Sequence, residues 1–222
     1  MANDYVISLD IGGTYIRGEL RRGQRVVKQV SERMPKRLTK FEVLFGSLIK
    51  KLQPIRGRVR QVDIGVAGVV SGTRMLHCRN IPSLKNYNFR RVVPKMYKLT
   101  VDNDARMFLR RQLAQGVARG AKQILGFTIG TGIGRAYAEN GQVKSIKAFE
   151  HQEPWERQYQ RVRFRSSEFL ANFLAHKLEP IIKKYQPDLI VFGGGVVRKK
   201  HDFFEQLHGR FECPILVSNS HD

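Results

Sequence analysis

Residues Leu9–Gly18 read LDIGGTYIRG, an apolar run that ends in an aspartate and turns on a glycine pair into a second apolar run. The runs on either side, YVISLDI (Tyr5–Ile11) and YIRGEL (Tyr15–Leu20), are followed beyond Arg22-Gly23 by RVVKQV (Arg25–Val30). Short apolar runs punctuated by glycine predict a three-strand meander. Gly12 and Gly13 let the backbone turn tightly and come close to a phosphate, and Thr14 adds a hydroxyl donor. Asp10 repels phosphate itself and suits a magnesium ion, held indirectly through its waters. Glycine pairs also mark ordinary hairpin turns, so this stretch alone leaves both readings open.

A second stretch, TIGTGIG (Thr128–Gly134), repeats the design at the end of the strand QILGFTIG (Gln123–Gly130). Here Gly130, Thr131, Gly132 and Gly134 supply the flexible backbone and the hydroxyl. No Gly-Lys-Ser/Thr follows, so this is not a Walker A loop. What comes next is a hairpin, GRAYAENGQV (Gly134–Val143) with an Asn140-Gly141 turn, and not the helix a dinucleotide fingerprint requires. Two matching loops suit a nucleotide or polyphosphate gripped from both sides.

The intervening segments fill out a repeated plan. Phe41, Leu44, Phe45, Leu48, Ile49 and Leu52 share one face of a helix over Thr39–Gln53. A strand over Gln61–Gly68, a looser segment with Pro82 and Pro94, and a strand over Leu99–Asp104 follow, then a helix through about Val117. In the second half, Ser166 to Tyr185 reads as a long helix with Phe169, Leu170, Phe173, Leu174, Leu178, Ile181 and Ile182 turned inward. Ser166 or Ser167 is its N-cap, and Pro180 is a site for a kink. Strands over Asp188–Gly194 and Pro214–Ser218 flank a helix over Lys199–Leu207. The pattern predicts an α/β chain of two lobes, residues 1–104 with the first phosphate loop and residues 105–222 with the second, facing each other across a cleft.

Composition narrows the class. The 222 residues are 41% hydrophobic, enough to bury a core. The two cysteines, Cys78 and Cys213, match no CxxC pattern, which argues against a disulfide framework or a cysteine zinc site and for a reducing cytoplasm. No secretory signal and no apolar stretch of the roughly 20 residues a bilayer demands is present, so no membrane association is expected. The formal charge of +21 predicts nonspecific attraction to polyanions. The basic residues are scattered, and a solvated basic surface accounts for them as well as a polyanion groove does. Arg135, one residue past the second loop, reads either as reaching donor phosphates or as an exposed strand arginine, and Lys199 and Lys200 as surface charge or donor contacts.

In order, DIGGT (Asp10–Thr14), GVAG (Gly65–Gly68), NIP (Asn80–Pro82), VDNDA (Val101–Ala105), TIGTGIG and LIVFGGGV (Leu189–Val196) resemble the ROK (repressor, open reading frame, kinase) family of sugar kinases. TIGTGIGRA and PDLIVFGGGVVRKKHDFF (Pro187–Phe204) are most similar to its polyphosphate glucokinase branch. The resemblance implies an actin/hexokinase-like (ribonuclease H-like) two-lobe nucleotide-binding fold, a glucose-type hexose acceptor, Mg-ATP or polyphosphate as donor, and room for a homodimer. It implies that Asp104 is the general base on the sugar hydroxyl, that Asn103 hydrogen-bonds the sugar, and that Gly193, Gly194 and Gly195 hold the adenosine. Asn103-Asp104 also suits a helix N-cap.

The sequence departs from the family in three places. Aligned on His151, the Glu-x-Gly-His sugar motif has Ala148 in place of its glutamate and Glu150 in place of its glycine. Glu150 then substitutes from a shifted backbone, or sugar affinity is altered, and His151 is as readily structural as sugar-binding. Gln152–Leu170 replaces the zinc-binding cysteine cluster of many members, so no zinc is expected, and Glu168 falls where others carry a further sugar-contacting glutamate. The sequence stops at VSNSHD, before the family's last Gly-Ala-rich helix, which predicts looser domain closure. Two other classes stay open: a non-catalytic sugar or nucleotide sensor associated with nucleic acid, and a degenerate kinase that binds without turnover. Family repressors carry an N-terminal helix-turn-helix, whereas here the phosphate strand begins within the first ten residues.

Overall fold

Alternation sets the first strand: Ile7, Leu9 and Ile11 are buried while Asp10 is exposed, the period of a strand with one face on a core. The computed structural model describes residues 4–78, 80–115, 118, 120–200 and 202–218. They fold as two compact units, Met1–Asp104 and Ala105–Asp222.

In the first unit, β1 (Asp4–Ile11), β2 (Tyr15–Arg22) and β3 (Arg25–Arg33) form the antiparallel meander that the glycine punctuation predicts. After α1 (Leu38–Lys51), β4 (Arg58–Val66) joins the other side of β1 in parallel. Three short strands, β5 (Val69–Ser71), β6 (Arg74–His77) and β7 (Tyr87–Asn88), make a small sheet of their own. Then β8 (Lys98–Asn103) adds to β4 in parallel, giving the order β3-β2-β1-β4-β8. Phe41, Phe45 and Leu48 of α1, with Leu52 at its C-cap, are fully buried and pack with Ile7, Leu9 and Ile64. Val43, on the opposite face of α1, stands in solvent.

The second unit repeats the plan. It holds α2 (Asp104–Gln115), which begins on the last residue of the first unit, then β9 (Gln123–Ile129), β10 (Ile133–Glu139) and β11 (Gln142–Lys144). Next come α3 (Lys147–Glu150), α4 (Glu156–Val162), α5 (Ser167–Tyr185), β12 (Leu189–Gly193), α6 (Gly195–Lys199), α7 (Phe203–Leu207) and β13 (Ile215–Val217). The sheet order is β11-β10-β9-β12-β13, again a meander with two parallel strands on its far side. β9 is buried on both faces. Leu125, Phe127 and Ile129 pack with Leu170, Leu174 and Leu178 of α5, while Ile124 packs with Leu109 of α2. A central strand covered on both sides reads as a continuous apolar run.

Several expectations need correction. The helix expected over Lys199–Leu207 is two short ones, α6 and α7, with Lys200 between them as the C-cap of the first. Phe169 does not face inward but is 53% exposed. Ser166 caps α5 as expected, its hydroxyl accepting the Phe169 N–H, and the helix runs through Pro180 without interruption. The expected end of α2 near Val117 lies outside the described residues.

Candidate active site

β1, β4 and β8 run parallel, so their carboxyl ends lie at one edge of the first sheet, where ligands of open α/β sheets bind. The residues there form one chain of contacts. The first loop, Gly12–Thr14, connects β1 to β2; a Cβ on Gly13 would sit 2.9 Å from Asn80 Cβ, so only glycine admits this approach. A Cβ on Gly68 would meet the His77 carbonyl oxygen and Cys78. Gly68 in turn accepts a 3.1 Å hydrogen bond from Asn103 Nδ2. Asp104 follows Asn103 and opens α2. Burial raises the Cys78 thiol pKa, the Asn80 and Ile81 N–H groups oppose it, and the Asp104 charge adds a smaller upward push. The structure thus gathers Gly13, Gly68, Asn80, Asn103 and Asp104, drawn from four separate motifs, and adds Cys78, whose sequence context carries no sign of a site.

The second loop occupies the equivalent hairpin, between β9 and β10, and Gly193 lies beside Thr128 in register. Gly194 has φ +98°, and a Cβ there would fall 2.6 Å from the Ile129 carbonyl oxygen, so the GGG turn rests directly against the loop. Gly195 starts α6. In each loop some carbonyls are occupied. Thr14 O accepts from Met34 N at 2.9 Å, Gly130 O from the Tyr159 hydroxyl at 2.7 Å, and Thr131 O from Gln160 Nε2 at 2.6 Å. The N–H groups of Gly13, Thr14 and Thr131, all exposed, donate to no other group among the described residues. Occupied acceptors and available donors are what an anion requires of a loop.

The remaining expected residues fall in mixed surroundings. Asp10 is half exposed, with Arg17 at 3.7 Å across the strand pair. Glu150 does not point free: it pairs with Arg106 of α2, and both side chains are buried. His151 caps the end of α3 with its side chain exposed, while its carbonyl accepts from Arg135. Glu168 is exposed on the first turn of α5, and its side chain makes no hydrogen bond or ion pair among the described residues.

Arg135 answers to neither of its readings. It is 2% exposed, and its guanidinium holds Glu156 at 2.9 Å, with Glu153 at 3.5 Å. Burial pushes the Glu156 carboxyl up, against the pull of Arg135. Sequence reasoning missed Arg106, Glu156, Tyr159 and Gln160 altogether. The polar character of Gln152–Arg165, which contains α4, was a signal for the last three, while Arg106 on α2 carried none.

No cluster of three or more His, Cys, Asp or Glu side chains able to hold a metal occurs among the described residues. Magnesium needs no such cluster, because it keeps several waters and takes one or two carboxylates together with substrate phosphates. A single half-exposed Asp10 beside a glycine turn fits that donor set. No helix among the described residues is long and apolar enough to cross a membrane.

The ROK family's sequence model matches residues 6–148, and the chain belongs to the ROK family. Among solved structures it is similar to an inorganic polyphosphate/ATP-glucomannokinase from Arthrobacter sp. strain KM (19% identity, 97% of this chain and 92% of that one, TM-score 0.79). It is similar to a ROK glucokinase from Streptomyces griseus in complex with glucose and AMPPNP (18%, 96% and 94%, TM-score 0.73). A ROK transcriptional regulator, a homologue of E. coli MLC, is similar too (14%, 97% and 73%, TM-score 0.67). These likenesses establish the actin/hexokinase-like fold. A search of curated protein sequences gave no match.

Proposed function

We propose that the chain is a hexose kinase, passing a phosphoryl group from Mg-ATP or polyphosphate to a hydroxyl of a glucose-type sugar. The observation that carries this reading is the convergence of Gly13, Asn80, Asn103 and Asp104 at the carboxyl edge of one sheet. In its support, the first glycine loop touches Asn80, and Asn103, the residue before Asp104, bonds Gly68 at the same sheet edge. Asp104 accepts the proton of the attacking hydroxyl, and Asn103 and His151 orient the sugar, with Glu168 as a further contact. Thr14 and the N–H groups of Gly13, Thr14 and Thr131 bind donor phosphates, and Gly193–Gly195 receive the adenosine when the donor is ATP. Asp10 would hold a magnesium ion through its waters, and that ion would supply charge neutralisation at the donor phosphates. Catalysis here is positioning and charge stabilisation, since phosphoryl transfer leaves the protein little covalent chemistry to do.

The test is a matrix of ATP and polyphosphate against glucose, mannose and N-acetylhexosamines. Turnover is expected with at least one pair, and Asp104→Asn should lower kcat by about 10²–10⁴-fold. No turnover with any pair, or an Asp104→Asn variant as active as the parent, sinks the reading. One observation favours a second reading, a binding protein without turnover: the Glu150 carboxylate is committed to Arg106. Calorimetry that detects sugar or nucleotide binding in a protein inactive across the whole matrix selects it.

A further inference from the structure

We propose that Arg135 is a positioning residue that ties the second phosphate loop and the His151 corner to one buried carboxylate, Glu156; this rests on the kinase reading above. Arg135 follows Gly134, the last glycine of the loop, by one residue. Its Nη2 donates both to the His151 carbonyl oxygen and to Glu156 Oε1, and the same Oε1 also accepts the Glu153 N–H at 3.0 Å. Glu156 opens α4, and one turn later Tyr159 and Gln160 hold the carbonyls of Gly130 and Thr131. The contacts close a circuit. The loop leads to Arg135, Arg135 to Glu156, and α4 returns to the loop, with His151 fastened at the guanidinium.

A stabilising role alone explains this pair poorly. Both side chains are nearly inaccessible, and among the described residues Arg135 Nε and Glu156 Oε2 have no hydrogen-bond partner, while Nη1 meets the Glu153 carboxylate at 3.5 Å without a hydrogen bond. A buried ion pair left partly unsatisfied costs desolvation that its attraction does not fully return, and apolar residues of similar volume are often as stable. What the pair supplies is geometry. The guanidinium is a rigid fork that serves two acceptors at once, which an ammonium on a flexible stem does not reproduce.

Trp155, the single tryptophan, is the N-cap of α4 with its ring 5.9 Å from that of Phe173, so its emission reports where α4 sits. Glu156→Gln should keep the fold by circular dichroism, shift Trp155 emission, and raise KM for donor and sugar together by on the order of tenfold. Arg135→Lys keeps a charge for Glu156 but loses the fork to His151, so KM for the sugar should rise more than KM for the donor. Because Glu156→Gln leaves the buried Arg135 charge uncompensated, Arg135→Met/Glu156→Leu serves as the folded control, and it should show both KM defects at near-native stability. Unchanged KM values in these variants, with only melting temperature altered, overturn the proposal. Binding is read separately by Trp155 emission on titration with tripolyphosphate and with glucose. A parent protein that responds to neither overturns the kinase reading. A parent that responds while the folded double variant responds identically overturns this inference alone.

Discussion

Glu150 shows how one side chain changes meaning between sequence and structure. Its neighbour His151 makes it a candidate sugar ligand, yet its carboxylate is spent on Arg106, forty-four residues earlier in the chain. Removing one partner of a buried pair leaves the other charge uncompensated, which costs more than the pair itself contributes. Glu150→Ala should therefore destabilise the protein by about 3–5 kcal/mol in urea unfolding. Arg106→Met/Glu150→Leu should recover most of that loss, and a Glu150→Ala variant as stable as the parent would refute the assignment. The sequence shows neither this pair nor Arg135–Glu156, because strand and helix periodicity report which face is apolar and not which distant charge meets it. Arg135 reads as exposed by alternation along a strand, but β10 is buried at Ile133, Arg135, Ala136, Tyr137 and Ala138, so alternation carries no information there. The motif residues behave differently. Gly13, Gly68, Asn103 and Asp104 are legible because close backbone approach and a carboxylate at a strand end each demand a particular residue type.

Elements were legible in proportion to their apolar content. The two meanders, α1 and α5 announce themselves through alternation or a 3.6-residue period, and Ser166 marks the start of α5. α4 does not: ERQYQRV has one fully buried large side chain, Tyr159, and no stripe. β5, β6 and β7, each two to four residues long, are too short for a period to register. Phe169 fits the helical stripe of α5 but is exposed, beside Ser167 and Leu170 of the same turn, which are the residues the core covers. The parallel pairing of β9 and β12 depends on a polar staple that periodicity also hides. The Asp188 carboxylate, one residue before β12, accepts the N–H groups of Lys122 and Gln123 at 2.8 and 2.9 Å. Those N–H groups, that of Gln123 foremost, hold the Asp188 carboxyl below the usual carboxylate range. A depressed folded pKa contributes stability above the unfolded value, about 3.9, and that contribution is lost as pH falls through the lower folded value. Asp188→Asn should therefore be less stable than the parent at neutral pH, with the gap closing below about pH 4. Acid titrations of the two proteins followed by far-UV circular dichroism check this, and a gap that is constant from neutral pH to pH 2 would refute it.

Each unit carries the same strand order, a meander with two parallel strands beyond it, and each places a glycine loop in its first hairpin. That repeat was readable as a pattern of turns and apolar runs, with the two glycine loops as its landmarks. The charge was readable as a number, +21, but its role was not, because composition fixes the strength of a field and not its target. The proposed reaction supplies a way to ask. Its donor is a polyanion and its acceptor a neutral sugar, so the two substrates sample the field differently on one and the same protein. An excess of positive charge raises the local concentration of the anionic donor at low ionic strength, and salt removes that gain as the screening length falls from about 10 Å at 0.1 M toward 3 Å at 1 M. The KM for donor should thus rise by on the order of threefold to tenfold between 0.05 and 0.5 M potassium chloride, while KM for the sugar stays constant. A polyphosphate with many charges should show a steeper dependence than ATP, since each neutralised phosphate adds to the salt response. Steady-state kinetics with the sugar as internal control separates this from a general effect of salt on folding or on magnesium. Equal salt dependence of both KM values, or none in either, would mean that the basic surface does not act on the donor and serves some other partner.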